Sequence, residues 1–100
     1  QVVPLEAMAT IRAGGDRKAF VAGGYPTLPG WSYHDFWWVS HDDHGAYMAR
    51  GIHGQAIYID PKAEMVIARF ASHPLAGNAN IDPLSLPAYR AVADKLMAGK

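Results

Sequence analysis

The stretch "AYMARGIHGQAIYIDPKAEMVIARFAS", Ala46 to Ser72, decides the fold. Three runs inside it, AYMARGI, QAIYID and MVIARFAS, have strand length and carry β-branched and aromatic residues. Asp60 to Glu64, DPKAE, is a tight turn with Pro61 preset for its second position. The other break is Gly51-Ile52-His53-Gly54, which puts two glycines where a sheet wants side chains. Glycine weakens a strand and usually marks a bulge, or a place where a ligand or another backbone comes close. The runs therefore read as an antiparallel meander, interrupted at one point for a reason.

Working outward, Tyr33 to Val39, YHDFWWV, reads as one more strand, apolar on both faces and expecting cover on both. His41 to Gly45 is a polar turn, so the sheet is expected from Tyr33 to about Ala71. GGYPTLPG, Gly23 to Gly30, is a structured loop. Ahead of it, PLEAMATIRAGG reads as a short helix that begins at Pro4 and Glu6 and stops at Gly14-Gly15. After the sheet comes a loop of turn formers, and Ser85 with Pro87 opens a last helix ending near Gly99. Tyr89, Val92, Ala93 and Leu96 share one face of that helix. The expected fold class is α+β, an antiparallel meander with the C-terminal helix packed on one face. Tyr89, Val92 and Leu96 should rest on Ile57, Ile59, Val66 or Ile67.

A chain of 100 residues is one domain at most, and with 50% hydrophobic and 18% charged residues it is apolar for its size. Its net charge of zero gives no electrostatic footprint for nucleic acid. The absence of cysteine excludes disulfides, thiolate metal sites and a cysteine nucleophile. No apolar run approaches the ~18 residues of a membrane span, and QVVPLEAMAT lacks the basic start and apolar stretch of a signal peptide. A soluble chain with no membrane partner is expected; no compartment is fixed, and the cytoplasm is the default.

His41, Asp42, Asp43 and His44 look like metal ligands, but a turn of that length lacks ligand spacing and reads as a solvated turn. No metal or other cofactor is implied. His53 lies where backbone is exposed, although a structural histidine is the commoner case. None of the four serines stands in a Ser-x-x-Lys or Gly-x-Ser-x-Gly setting, so no nucleophile is recognisable. Asp60 and Glu64 flank a turn and make no acid–base pair. The Gly-x-x-Gly of a KH domain joins two helices on a basic surface, which fits neither the strands nor the charge here.

The run from Tyr25 to Pro74, most specifically Gly45 to Pro74, together with LPAYRAVADKLM, resembles the C-terminal part of β-lactamase-like serine hydrolases, in particular the 6-aminohexanoate-dimer hydrolases and class C β-lactamase-like enzymes. That resemblance implies amide or ester cleavage through an acyl-enzyme, with a Ser-x-x-Lys and a tyrosine that would both lie before Gln1. It sets Ala49-Arg50-Gly51 at the place of a Lys-Thr-Gly motif, so the lysine that holds a β-lactam carboxylate is absent. The Ile52 N–H would be an oxyanion-hole donor, and Gly51, His53 and Gly54 would border the substrate cleft, where side chains at the glycines would obstruct a substrate. Residues 1–100 would then be an incomplete hydrolase domain, inactive alone, held to a missing N-terminal part or self-associating through Phe36, Trp37 and Trp38. The competing readings are a non-catalytic sheet module that binds a peptide or its own copy, and a soluble α+β fragment with no function of its own.

Overall fold

Each of the five strands of the sheet pairs with its neighbour in sequence, all antiparallel. The computed structural model describes residues 5–99; the helix start assigned to Pro4 and the leading QVV lie outside them. The strands are β1 (Ser32–His34), β2 (Trp37–Val39), β3 (Tyr47–Arg50), β4 (Ala56–Asp60) and β5 (Met65–Arg69). The helices are α1 (Leu5–Ala13), α2 (Arg17–Ala22) and α3 (Asp82–Ala98), with short 3-10 turns at Ile52–Gly54 and Asn78–Asn80. Among the described residues no helix is long and apolar enough to cross a membrane.

The stretch Tyr33 to Val39 is a hairpin rather than one strand. Asp35 (φ 49) and Phe36 (φ 72) form its two-residue turn. Two left-handed residues in succession match the twist of the flanking strands, but that geometry normally calls for Asn-Gly, and a phenylalanine there hides the signal. Phe36 stands at the tip, 84% exposed. Trp37 and Trp38 are not left in water as expected. Trp37 packs edge-on against Tyr47 at 5.3 Å, and Trp38 joins Phe20 and Tyr25 at 5.9 and 5.2 Å.

Alternation along the ladder sends Trp38, Met48, Tyr58 and Ile67 to one face and Val39, Tyr47, Ile59 and Val66 to the other. The core lies on the first face, where Met48, Ala56, Tyr58 and Met65 meet Tyr89 and Ala93 of α3 and Phe20, Leu28 and Trp31 of the preceding segment. The seat expected for α3 is therefore corrected. Tyr89 rests on Tyr58, ring centres 5.0 Å apart, while Val92 and Leu96 are each 47% exposed. Ile57 and Val66 point to the far face, because a step of one residue along a strand changes the face. α3 also starts at Asp82, earlier than expected, with Ile81 O accepting from both Leu84 N and Ser85 N.

α2 carries no strong pattern of its own. It forms because the Asp16 carboxylate accepts from Lys18 N (2.9 Å) and Ala19 N (3.2 Å), satisfying its first amides, and because Phe20 is buried. α1 lies against β2 on the far face, where Ser32, Val39 and Tyr47 are buried. The rest of that face is bare: Ile57 and Val66 are exposed, as is Phe70 just past β5.

Candidate active site

Strand β3 ends at Arg50, and the chain steps out of the ladder through Gly51 before β4 begins at Ala56. Gly51 N donates to Gln55 O at 2.9 Å, closing a narrow loop. Inside it His53 (φ 58) and Gly54 (φ 89) are both left-handed. Gly54 is buried, and a Cβ there would sit 3.2 Å from Ala71 Cβ and 3.3 Å from Ile81 Cδ1. Its glycine is thus explained by backbone conformation and close packing rather than by clearance for a substrate. A Cβ on Gly51 would meet Gln55 Cβ at 2.8 Å; that side chain is engaged with the backbone of Ala71, extending the β4–β5 pairing by a step. Gly54→Ala should lower stability by about 1–2 kcal/mol, the usual penalty for a left-handed L-residue, read as a shift in the urea midpoint at unchanged slope; an unshifted midpoint would contradict this account.

A second segment, residues 73–80, holds the loop from outside. His53 N donates to Ala76 O at 3.0 Å, His73 N to His53 O at 3.0 Å, and His53 Nδ1 lies 2.7 Å from His73 O. Asn78 reaches both ends: its Nδ2 donates to Gly51 O at 2.6 Å and its Oδ1 accepts from Gly54 N at 3.0 Å. Among the described residues, no hydrogen bond uses the Ile52 N–H. His53 is therefore a structural histidine, its ring turned to a backbone carbonyl.

Gly51 and Ile52 border a cleft of about 350 Å³, walled by Tyr25, Pro26, Trp38 and Asn78. His53 and Gly54 do not line it. On its floor Arg50 makes a two-pronged ion pair with Asp82, at 2.8 and 3.0 Å, and its guanidinium lies 5.4 Å from the Trp38 ring centre. Asp82 also accepts from Thr27 Oγ1 at 2.7 Å. The pair joins β3, α3 and the Gly23–Gly30 loop beside Ile52, and it leaves the cleft's cation already neutralised.

The polar turn at residues 41–45 is not simply solvated. Its acidic members are tied to Arg90 of α3, and among the described residues no three His, Asp or Glu side chains gather as metal ligands would. Asp42 Oδ1 accepts from His44 N and Ala46 N, and Asp43 pairs with Arg90 at 3.0 Å. The hydrogen bond from Arg90 holds the Asp43 carboxyl below its usual range. His44 is buried, with Nδ1 2.6 Å from the equally buried Asp60. Burial, followed by the negative charges of Asp42 and Asp60, pushes the Tyr58 phenol up.

His41 Nε2 lies 2.6 Å from Ser32 Oγ, so one serine does have an imidazole neighbour. That pairing could not be read from the sequence, because the two meet only when the Asp35-Phe36 hairpin brings β1 beside β2. Ser32 is 0% exposed, its Oγ accepts from Gly15 N at 3.0 Å, and Gly14 closes over the pair. A serine so enclosed cannot reach a carbonyl. Burial, then the charge of Arg17, lowers the pKa of His41 below 6.5. The unfolded chain therefore takes up this proton first as pH falls. Stability from this group is complete above about 6.5 and is lost as pH drops from there toward the lowered folded value. His41→Gln should flatten the fall in urea midpoint between pH 7.5 and 5.5; parallel curves for the two proteins would refute it.

A five-stranded antiparallel meander with a C-terminal helix on one face is part of a β-lactamase-like fold. The chain is 35% identical over 66 residues, 65% of its length, to the 6-aminohexanoate-dimer hydrolase of Paenarthrobacter ureafaciens. It also superposes with a TM-score of 0.63 and 38% identity, over 70% of its length, on a solved Bacillus anthracis structure provisionally described as a 6-aminohexanoate-dimer hydrolase. It spans only 17% of the first protein and 18% of the second. No protein-family model matches the chain. The likeness to hydrolases of this kind, read first from Gly45 to Pro74, is thus found in both sequence and structure.

Proposed function

We propose that this chain is the oxyanion-hole side of a β-lactamase-like serine hydrolase that cleaves amide or ester bonds through an acyl-enzyme. The observation that carries the reading is the Ile52 N–H, a backbone donor left unused at the mouth of a cleft, on a loop whose other amides are engaged. A fixed donor of this kind stabilises the negative charge that develops on a carbonyl oxygen under attack, and it acts without reorganisation. The nucleophile and its base come from the remainder of the hydrolase, since Ser32, the serine hydrogen-bonded to an imidazole among the described residues, is sealed. Ala49 stands where a β-lactamase would carry its lysine, and Arg50 is bound to Asp82, so the cleft favours an uncharged acyl group.

The direct test replaces the matching segment of the Paenarthrobacter ureafaciens hydrolase with this chain and measures hydrolysis of a nitrophenyl ester and of the 6-aminohexanoate dimer. Turnover by the chimera, with background rates for the 100 residues alone, is the expected pair of results. Saturable turnover by the isolated chain, lost on mutating one of its own serines, would overturn the reading.

The bare face bearing Ile57, Val66 and Phe70 is, on this reading, where the rest of the hydrolase packs. The isolated chain should associate with itself through that face in light scattering, and Val66→Lys should return it to a monomer. A folded wild-type monomer at high concentration would count against this surface.

A further inference from the structure

We infer that Asn78 is the positioning residue that aims the Ile52 N–H, an inference that rests on the oxyanion reading above. The Gly51 carbonyl and the Ile52 N–H belong to one peptide unit, and the described residues contain no cis peptide bond. In a trans peptide the C=O and the following N–H lie in one plane and point opposite ways. Fixing the carbonyl therefore fixes the amide. Asn78 Nδ2 holds Gly51 O at 2.6 Å, and with that bond in place the Ile52 N–H faces away from Asn78.

The clamp acts on the freer side of this peptide. Gly51 (φ −109, ψ 172) has no Cβ to limit rotation about ψ, so tilting of the plane is resisted by Ile52, a β-branched residue that would be driven toward positive φ, and by the Asn78 bond. The second half of the Asn78 amide prevents Asn78 itself from drifting, because Oδ1 accepts from Gly54 N at 3.0 Å. The two bonds also set the orientation of the amide: reversing it would bring carbonyl against carbonyl and N–H against N–H. Asn78 is held in turn by its own carbonyl, which accepts from Ile81 N at 2.9 Å just ahead of α3. Helix, asparagine and peptide plane form one rigid line ending at the donor.

Asn78→Asp separates this role from simple support of the loop. The aspartate keeps an acceptor for Gly54 N but sets a negative charge against the Gly51 carbonyl in place of a donor. In the 100-residue chain, a through-hydrogen-bond coupling between the Asn78 side-chain nitrogen and the Gly51 carbonyl carbon should be visible by NMR. Asn78→Asp should abolish it and displace the Ile52 amide resonance while β3 and β4 resonances keep their positions. In the chimera the same variant should lower kcat by about 10- to 10²-fold, the scale of a misplaced catalytic group, with KM nearly constant, and Asn78→Ala should match it. Full kcat in Asn78→Asp would overturn the inference, as would an unmoved Ile52 resonance or a loss confined to KM. An Ile52→Pro chimera with full turnover would refute the oxyanion reading instead, and the coupling would still report whether Asn78 holds the peptide.

Discussion

Ile52→Pro in the chimera lowers kcat by about 10²–10³-fold, the usual consequence of deleting one oxyanion-hole donor. Proline removes the N–H and otherwise fits this position well. The residue before a proline must be extended, and Gly51 at φ −109 and ψ 172 already is. Ile52 opens the 3-10 turn, and proline's fixed φ suits the first residue of a helical turn. No hydrogen bond among the described residues is lost, because none uses this amide. Ile52→Ala keeps the N–H and removes an exposed side chain, so it should stay within about threefold of wild type, consistent with the small effects of surface truncation. Equal losses in the two variants would show that the side chain matters and the amide does not.

Asp82→Ala destabilises the chain by about 3–5 kcal/mol, the range for stranding one member of a buried ion pair. The side chains of Arg50 and Asp82 are 9% and 3% exposed, so water entering the cleft replaces the lost carboxylate only in part. The penalty is mostly that of an unpaired guanidinium, with the loss of the Thr27 hydroxyl's acceptor added. Against the ~5–15 kcal/mol total of an ordinary domain, such a change takes a large share of the stability. Replacing both partners, Arg50→Met with Asp82→Leu, should be milder than the single change, since it removes the buried charge altogether. Urea unfolding followed by tryptophan fluorescence measures all three proteins. A single-variant loss below about 1 kcal/mol would place the pair among weak surface bridges instead.

The meander was legible because β3, β4 and β5 alternate and the DPKAE turn is explicit, so these three strands follow from period and turn chemistry. The Asp35-Phe36 turn was not legible, because its left-handed residues lack the glycine that announces such a turn. Helix α2 depends on the Asp16 cap and on Phe20 finding Trp38, and the second of these is tertiary. The helical face Tyr89, Val92, Ala93, Leu96 was right at Tyr89 and Ala93, which are buried, and lay too far round at Val92 and Leu96, the core contact running instead through Leu86 and Met97. At the site, the two glycines drew attention to the loop. The clamp from Asn78 lies 27 residues beyond Gly51, and no local pattern links them. The same holds for Arg50 with Asp82 and for His44 with Asp60: each pair is joined by topology, and the sequence shows only isolated charges.

The strand order, identical to chain order, also bears on how the molecule acquires its shape. Each ladder closes a loop of a few residues, from the two of the Asp35-Phe36 turn to the longer step between β2 and β3, so the entropy of closing each stays small. Contacts near in sequence make for rapid folding, and a meander can zip from any of its hairpins. The slow event should be the docking of α3, which must return to Tyr58 and Met48 from beyond the 73–80 segment. Because Asn78 and Asp82 travel with α3, the Gly51–Ile52 peptide gains its direction only in that final step. The sheet can form early, and the donor becomes usable last.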